Sequence, residues 1–166
     1  MATETKHTVM FLDDEIRTVE STGEALEGDF NYFGFTKPDD FYDAVMAHPE
    51  PLILLVDHNL GLADHFGYDT VLRVRRDHPF GLILPIIYFT ANQTPLDFIT
   101  EIQAKLGFTP SALVQKGDDR YFDVVEEAGR MLNQLTALAL SQSFKQAMTA
   151  PPLDDEDFTM FDEVDE

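Results

Sequence analysis

The chain contains no cysteine. That absence excludes a disulfide framework, a thiolate zinc site and a thiol nucleophile, and it accords with a reducing compartment. Bases are scarce as well: 11 Lys and Arg stand against 31 Asp and Glu, for a net charge of -20. Affinity for nucleic acid phosphates rests on clustered Lys and Arg, so the expectation is no nucleic-acid partner and a preference for basic proteins. Long apolar runs are missing too. The longest uncharged stretch, 80–96, is interrupted by Gly81, Pro85, Asn92 and Gln93, and the opening MATETKHTV lacks the basic-then-apolar order of a signal peptide. No membrane partner and a cytoplasmic location are therefore expected.

At 166 residues the chain suits one domain with an appendage. A domain of that size buries roughly two thirds of its unfolded surface, enough for a core without staples. The apolar residues fall in short runs. Val9 to Leu12 reads as a strand and is followed by a stretch from Glu15 to Asp29 with Ile16, Val19 and Leu26 on roughly one helical face. Tyr32 to Thr36 reads as a second strand, and Lys37-Pro38-Asp39-Asp40 as a turn into a helix over Phe41 to Ala47. Leu52 to Val56 is a β-type run, succeeded by a loop containing Gly61, Asp64 and Gly67 and a helix from about Tyr68 to Arg76. Pro85 to Thr90 supplies a fourth strand and Pro95 to Leu106 a fourth helix, with Gly107 at its end. Ala112 to Gln115 is the fifth strand, after which Asp118 can cap a helix running without proline to about Thr149. Five strand-then-helix units imply an α/β fold: a doubly wound parallel sheet with helices on both faces, because parallel crossovers are right-handed.

In open α/β sheets ligands bind beyond the carboxyl ends of the strands. Asp13 and Asp14 follow the first strand, Asp57 the third, Thr90 closes the fourth and Lys116 follows the fifth. Three carboxylates drawn within about 4 to 5 Å repel by roughly 4 kcal/mol per pair at an effective dielectric of about 20, so such a site demands a cation. Hard oxygen ligands with open positions for water suit Mg²⁺. Lys116 adds a mobile positive charge and Thr90 a hydroxyl donor, both suited to phosphoryl oxygens. A carboxylate is a recognised covalent acceptor of phosphoryl groups, and Asp57 is the candidate. Taken singly, each residue has an ordinary explanation: an acid pair after a strand caps a helix, a Thr fills a strand, a Lys is solvated. Their joint placement favours chemistry. His58 and His65 lie near Asp57 but lack the i, i+4 spacing of a paired metal motif.

The motifs FLDDE, LLVDHNL, YFTAN and VQKG, in that order, resemble the receiver domain of two-component response regulators over roughly residues 8–132. The resemblance implies a flavodoxin-like sheet of five parallel strands in order 2-1-3-4-5. It implies phosphorylation of Asp57 by a histidine kinase or histidine phosphotransfer protein, and Mg²⁺ held by Asp14, Asp57 and the main-chain carbonyl of Asn59, with Asp13 acting mainly through water. Thr90 and Lys116 then contact the phosphoryl group, and Ala91 matches the family's small residue beside it. Three departures stand out: Gly61 and Gly117 replace family prolines, and Leu113 replaces a switch aromatic. The loop after Asp57 is longer than usual. Gly117 is expected to leave its peptide trans, since a non-proline cis bond costs about 3 kcal/mol.

The expected organisation is a receiver domain over 1–132, an extension of the last helix over 133–150 and an acidic tail over 151–166, opened by Pro151-Pro152. Leu132 to Phe144 carries no charge, which suits a partner surface or a homodimer, with Leu135 and Leu138 as candidate contacts, or else a segment that folds back on its own domain. Residues 153–166 carry eight acids and no base, leaving -12 on the rest. Their acids alternate with apolar residues such as Phe158 and Phe161, the composition either of a solubilising disordered terminus or of a disordered segment that folds onto a basic, apolar groove of a downstream protein; the two Phe favour the second. No output domain is evident, so the expectation is a signalling module rather than an enzyme. Two alternatives are a pseudo-receiver scaffold that takes no phosphate and a Mg²⁺-dependent aspartyl phosphatase. Against the latter, Asp57-His58-Asn59 lacks the second acid of the Asp-x-Asp motif used by haloacid-dehalogenase-like phosphatases.

Overall fold

The computed structural model describes residues 6–62, 65–91, 96, 97, 100, 104, 112–117 and 120–149. Its elements begin with β1 (Thr8–Leu12), α1 (Ile16–Leu26), β2 (Asn31–Phe35), α2 (Pro38–Ala47) and β3 (Ile53–Asp57). A hairpin of β4 (Asn59–Leu62) and β5 (His65–Phe66) comes next, then α3 (Gly67–Asp77), β6 (Ile86–Thr90), β7 (Ala112–Gln115) and α4 (Tyr121–Thr149). Five strands form one sheet in the order β2-β1-β3-β6-β7, and every neighbouring pair is parallel. With the hairpin set aside, this is the expected order 2-1-3-4-5.

Residue parity along the strands divides the core in two, because successive side chains point to opposite faces. Val9, Phe11, Ile53, Leu55, Ile87 and Phe89 turn to one face and are covered by Val19 and Leu26 of α1 and by Val125, Ala128 and Leu132 of α4. Met10, Leu12, Leu54, Val56, Ile86 and Tyr88 turn to the other, against Phe41 and Val45 of α2 and Tyr68, Val71 and Val74 of α3. The central strand β3 is buried throughout. That explains its unbroken apolar sequence: a parallel strand covered on both sides has no solvent face to keep polar.

The structure departs from the sequence reading in three places. The turn expected over Lys37 to Asp40 is only Lys37: Pro38, Asp39 and Asp40 already form the first turn of α2, where proline's fixed φ and missing N–H are tolerated. Ile16 is 54 % exposed although it was grouped with Val19 and Leu26. At 100° per residue it lies ~70° from the centre of the stripe formed by Val19, Thr22, Gly23 and Leu26, in the helix's first turn. The stretch after Asp57 is not simply a loop: Asn59 pairs with Phe66 and Leu62 with His65 in an antiparallel hairpin with an irregular register. The fourth helix expected over Pro95 to Leu106 falls largely outside the described residues, although Leu96, Asp97, Thr100 and Ala104 are helical. Asp118, Phe158 and Phe161 also lie outside them.

The chain separates into two compact units, Met1–Thr136 and Ala137–Glu166. The first holds the sheet and both core clusters. In it Leu135 is half-buried; in the second, Leu138 and Leu140 are exposed. Among the described residues no helix is long and apolar enough to cross a membrane.

Candidate functional site

Chain direction brings the five chemical positions to one end of the sheet. Asp13 stands one residue past β1; its N–H still donates to the Phe35 carbonyl at 3.1 Å, extending the ladder to β2. Its Oδ1 accepts the N–H of Glu15 at 2.9 Å, a local turn that leads the chain out towards α1. Asp13 is thereby buried and Asp14 is left exposed. Asp57 is the last residue of β3, 3 % exposed, and its carboxylate accepts the N–H of Asn59. Thr90 closes β6, also buried, and its carbonyl accepts the N–H of Lys116 at 2.9 Å, which fixes Lys116 just past β7.

The Lys116 side chain then reaches across the strand ends. Its Nζ lies 2.9 Å from Asp13 Oδ2 and 3.1 Å from Asp57 Oδ2. Asp13, Asp14 and Asp57 each offer a carboxylate oxygen, and these atoms lie within 4.8 Å of one another. The electrostatics follow from one ammonium facing two buried carboxylates. Burial pushes the Asp57 carboxyl up to about 6, and the charge of Asp13 adds to this, against the pull of Lys116 and the Asn59 N–H. Asp13 is raised too, chiefly by burial. Burial alone would lower Lys116, but its two acidic partners outweigh that and hold it above the ordinary lysine range. The anions are under-compensated and the cation over-compensated, so the cluster has room for further positive charge.

That donor set fits Mg²⁺ by its chemistry. All three groups are hard carboxylate oxygens, and the exposure of Asp14 leaves a side open to water and phosphoryl oxygens. Asn59 is exposed at the start of β4, and its Oδ1 accepts the Gly61 N–H at 3.3 Å. Ala91 is exposed beside Thr90. His58 does not belong to the cluster: its ring packs 6.0 Å from that of Tyr68 on α3. No cis peptide occurs among the described residues, and Gly117 follows Lys116 with a φ of +88°.

Sequence reasoning missed two features of the surroundings. A Cβ on Gly67 would collide with the Asp57 carbonyl oxygen and stand 2.6 Å from Val56 Cγ1, so the start of α3 packs directly on the main chain that carries Asp57. Gly61 has a φ of +64° and turns the hairpin main chain against Asp14. Its glycine identity was the available signal; its neighbour was not.

No protein-family model matches the chain, and no curated protein matches it. Solved structures do. The response regulator StyR superimposes with a TM-score of 0.70 at 17% identity, over 92% of this chain and 74% of StyR. The chemotaxis protein CheY4 of Vibrio cholerae gives 0.62 at 16% identity, over 77% of this chain and all (100%) of that one. A response regulator receiver domain from Clostridium thermocellum gives 0.62 at 13% identity, over 80% and 98% of the two chains. The fold is that of a receiver domain.

Proposed function

We propose that this chain is a response regulator receiver protein that accepts a phosphoryl group on Asp57 from a histidine kinase or histidine phosphotransfer protein. The observation that carries the reading is the placement of Asp57 at the carboxyl end of the central strand, within 3.1 Å of Lys116 Nζ and in one cluster with Asp13 and Asp14. Asp57 has the lone pairs to act as nucleophile. One of its oxygens bonds to phosphorus as the phosphorus–nitrogen bond of the donor phosphohistidine breaks, and the departing imidazole takes a proton. Lys116 is within reach to move from the carboxylate to a phosphoryl oxygen, and the Thr90 hydroxyl is suited to donate to another. Ala91 leaves space beside them. Asp13, Asp14 and Asp57, with the Asn59 carbonyl, would hold Mg²⁺, which when bound supplies the charge that neutralises the phosphoryl oxygens.

The reading extends to a cytoplasmic signalling module rather than an enzyme of small-molecule turnover, with a body over 1–132, a helical extension over 133–150 and an acidic tail over 151–166. Output then runs through protein contacts. Leu135 and Leu138 are candidates for a homodimer along the last helix, and Phe158 and Phe161 for a downstream protein that binds the tail.

Incubation with acetyl phosphate, with and without Mg²⁺, followed by intact mass measurement tests the central claim. The expected result is Mg²⁺-dependent gain of one phosphoryl group, abolished in Asp57→Asn. No adduct would leave a pseudo-receiver scaffold as the better description, and catalytic release of phosphate from many different substrates would make the protein a phosphatase.

A further inference from the structure

The acid cluster has a wall that the five strand ends do not supply. The β4–β5 hairpin is held at its base by Leu60, which is buried in the core cluster on the α2 and α3 face of the sheet, and by Gly67, whose N–H donates to the His58 carbonyl at 3.1 Å. Between these anchors Gly61 adopts a φ of +64°, a conformation that glycine reaches without the steric cost a Cβ brings. The result is close approach: a Cβ on Gly61 would lie 2.5 Å from Oδ2 of Asp14, below any ordinary contact distance. Asp14 is the exposed member of the cluster, so packing does not otherwise hold its carboxylate as it holds those of Asp13 and Asp57.

From this contact we infer that Gly61 is a positioning residue for divalent-cation binding: its main chain backs the Asp14 carboxylate and keeps it turned towards Asp13 and Asp57. The inference rests on the Mg²⁺ reading above and adds its specific determinant in this chain. An exposed carboxylate free to rotate must surrender that freedom when it ligates a cation, whereas one already backed by neighbouring main chain loses less. A methyl group at position 61 would press on Oδ2 of Asp14 and turn a carboxylate that belongs to a cluster whose ligand atoms lie within 4.8 Å of one another.

Isothermal titration of the metal-free full chain with MgCl₂ tests this on wild type, Gly61→Ala, Gly61→Asn, Asp14→Asn and the double variant Gly61→Ala with Asp14→Asn. Metal-free thermal midpoints are recorded in parallel. Asn tolerates positive φ, so Gly61→Asn keeps the added Cβ while relieving most of the backbone strain. The expected result is a loss of Mg²⁺ affinity of about tenfold or more in both single Gly61 variants, by the arithmetic that ~1.4 kcal/mol is a decade. In the Asp14→Asn background the Gly61 change should then alter affinity by less than about twofold, because the residue acts through Asp14. Wild-type affinity in Gly61→Asn would overturn the inference, and so would an undiminished effect of Gly61→Ala in the Asp14→Asn background. Absence of Mg²⁺ binding by wild type would remove the cation reading itself, a separate outcome from normal wild-type binding with unaffected variants.

Discussion

Lys116 is a single ammonium between two buried carboxylates, and that imbalance has a measurable consequence. The Asp57 carboxyl titrates at about 6 in the fold, above an ordinary Asp, because burial disfavours the anion. Between about pH 4 and 6 the folded protein therefore binds more protons at this group than the unfolded chain does. The contribution of Asp57 to metal-free stability then falls as pH rises through that window, by about 2 to 3 kcal/mol. Urea denaturation in EDTA from pH 4 to 7 should show this decline in wild type and a flatter profile in Asp57→Asn. Lys116→Met should steepen it, since both acids lose their cation; equal slopes in all three proteins would contradict the assignment. The acids themselves were legible because each ends an apolar run. The Lys116–Asp13 pair was not, since it joins residues 103 positions apart whose meeting depends on how far the side chain leans across the strand ends.

At the scale of elements, the hairpin is the part that distinguishes this site. A longer connection after Asp57 was legible from the spacing of Gly61 and Gly67, but its pairing was not, because β4 and β5 are four and two residues long and carry no strict alternation. Gly67 joins the hairpin to α3 against the Asp57 main chain, which cannot yield as a side-chain tip would. Gly67→Ala should therefore destabilise the protein by about 1 to 3 kcal/mol, the usual range for forcing a group into a filled core. Thermal unfolding compared with Gly28→Ala, where an added Cβ meets nothing within 4 Å, gives the control; equal midpoints would refute the packing argument. His78 illustrates another feature invisible in the sequence. Its buried ring accepts the Phe80 N–H on Nδ1 at 3.1 Å and donates from Nε2 to the His48 carbonyl at 2.9 Å, linking the end of α3 to the end of α2. Nothing in local periodicity marks such a residue as a clamp.

At the scale of the whole molecule, all buried members of both core clusters lie at or before Leu132, within the unit that ends at Thr136. A chain ending at Thr136 should therefore unfold within about 4 °C of the full chain, the shift that ~1 kcal/mol produces. It should also retain the Mg²⁺ response. A drop several times larger would mean that residues beyond 136 carry stability the core does not. Sedimentation of the two forms would report whether the uncharged segment from Leu132 to Phe144 drives self-association. The sequence by itself determined the α/β alternation, the parallel sheet and the strand-end positions of Asp13, Asp14, Asp57, Thr90 and Lys116. Those follow from where apolar runs start and stop, and burial on both faces of a parallel strand writes that pattern directly into the chain. Only the tertiary structure decided that Lys116 bridges Asp13 and Asp57, that Ile16 faces solvent, and that Gly61 and Gly67 seat a hairpin against the acids. These are distances between residues remote in sequence or side by side across a turn, set by packing, and neither periodicity nor composition encodes them.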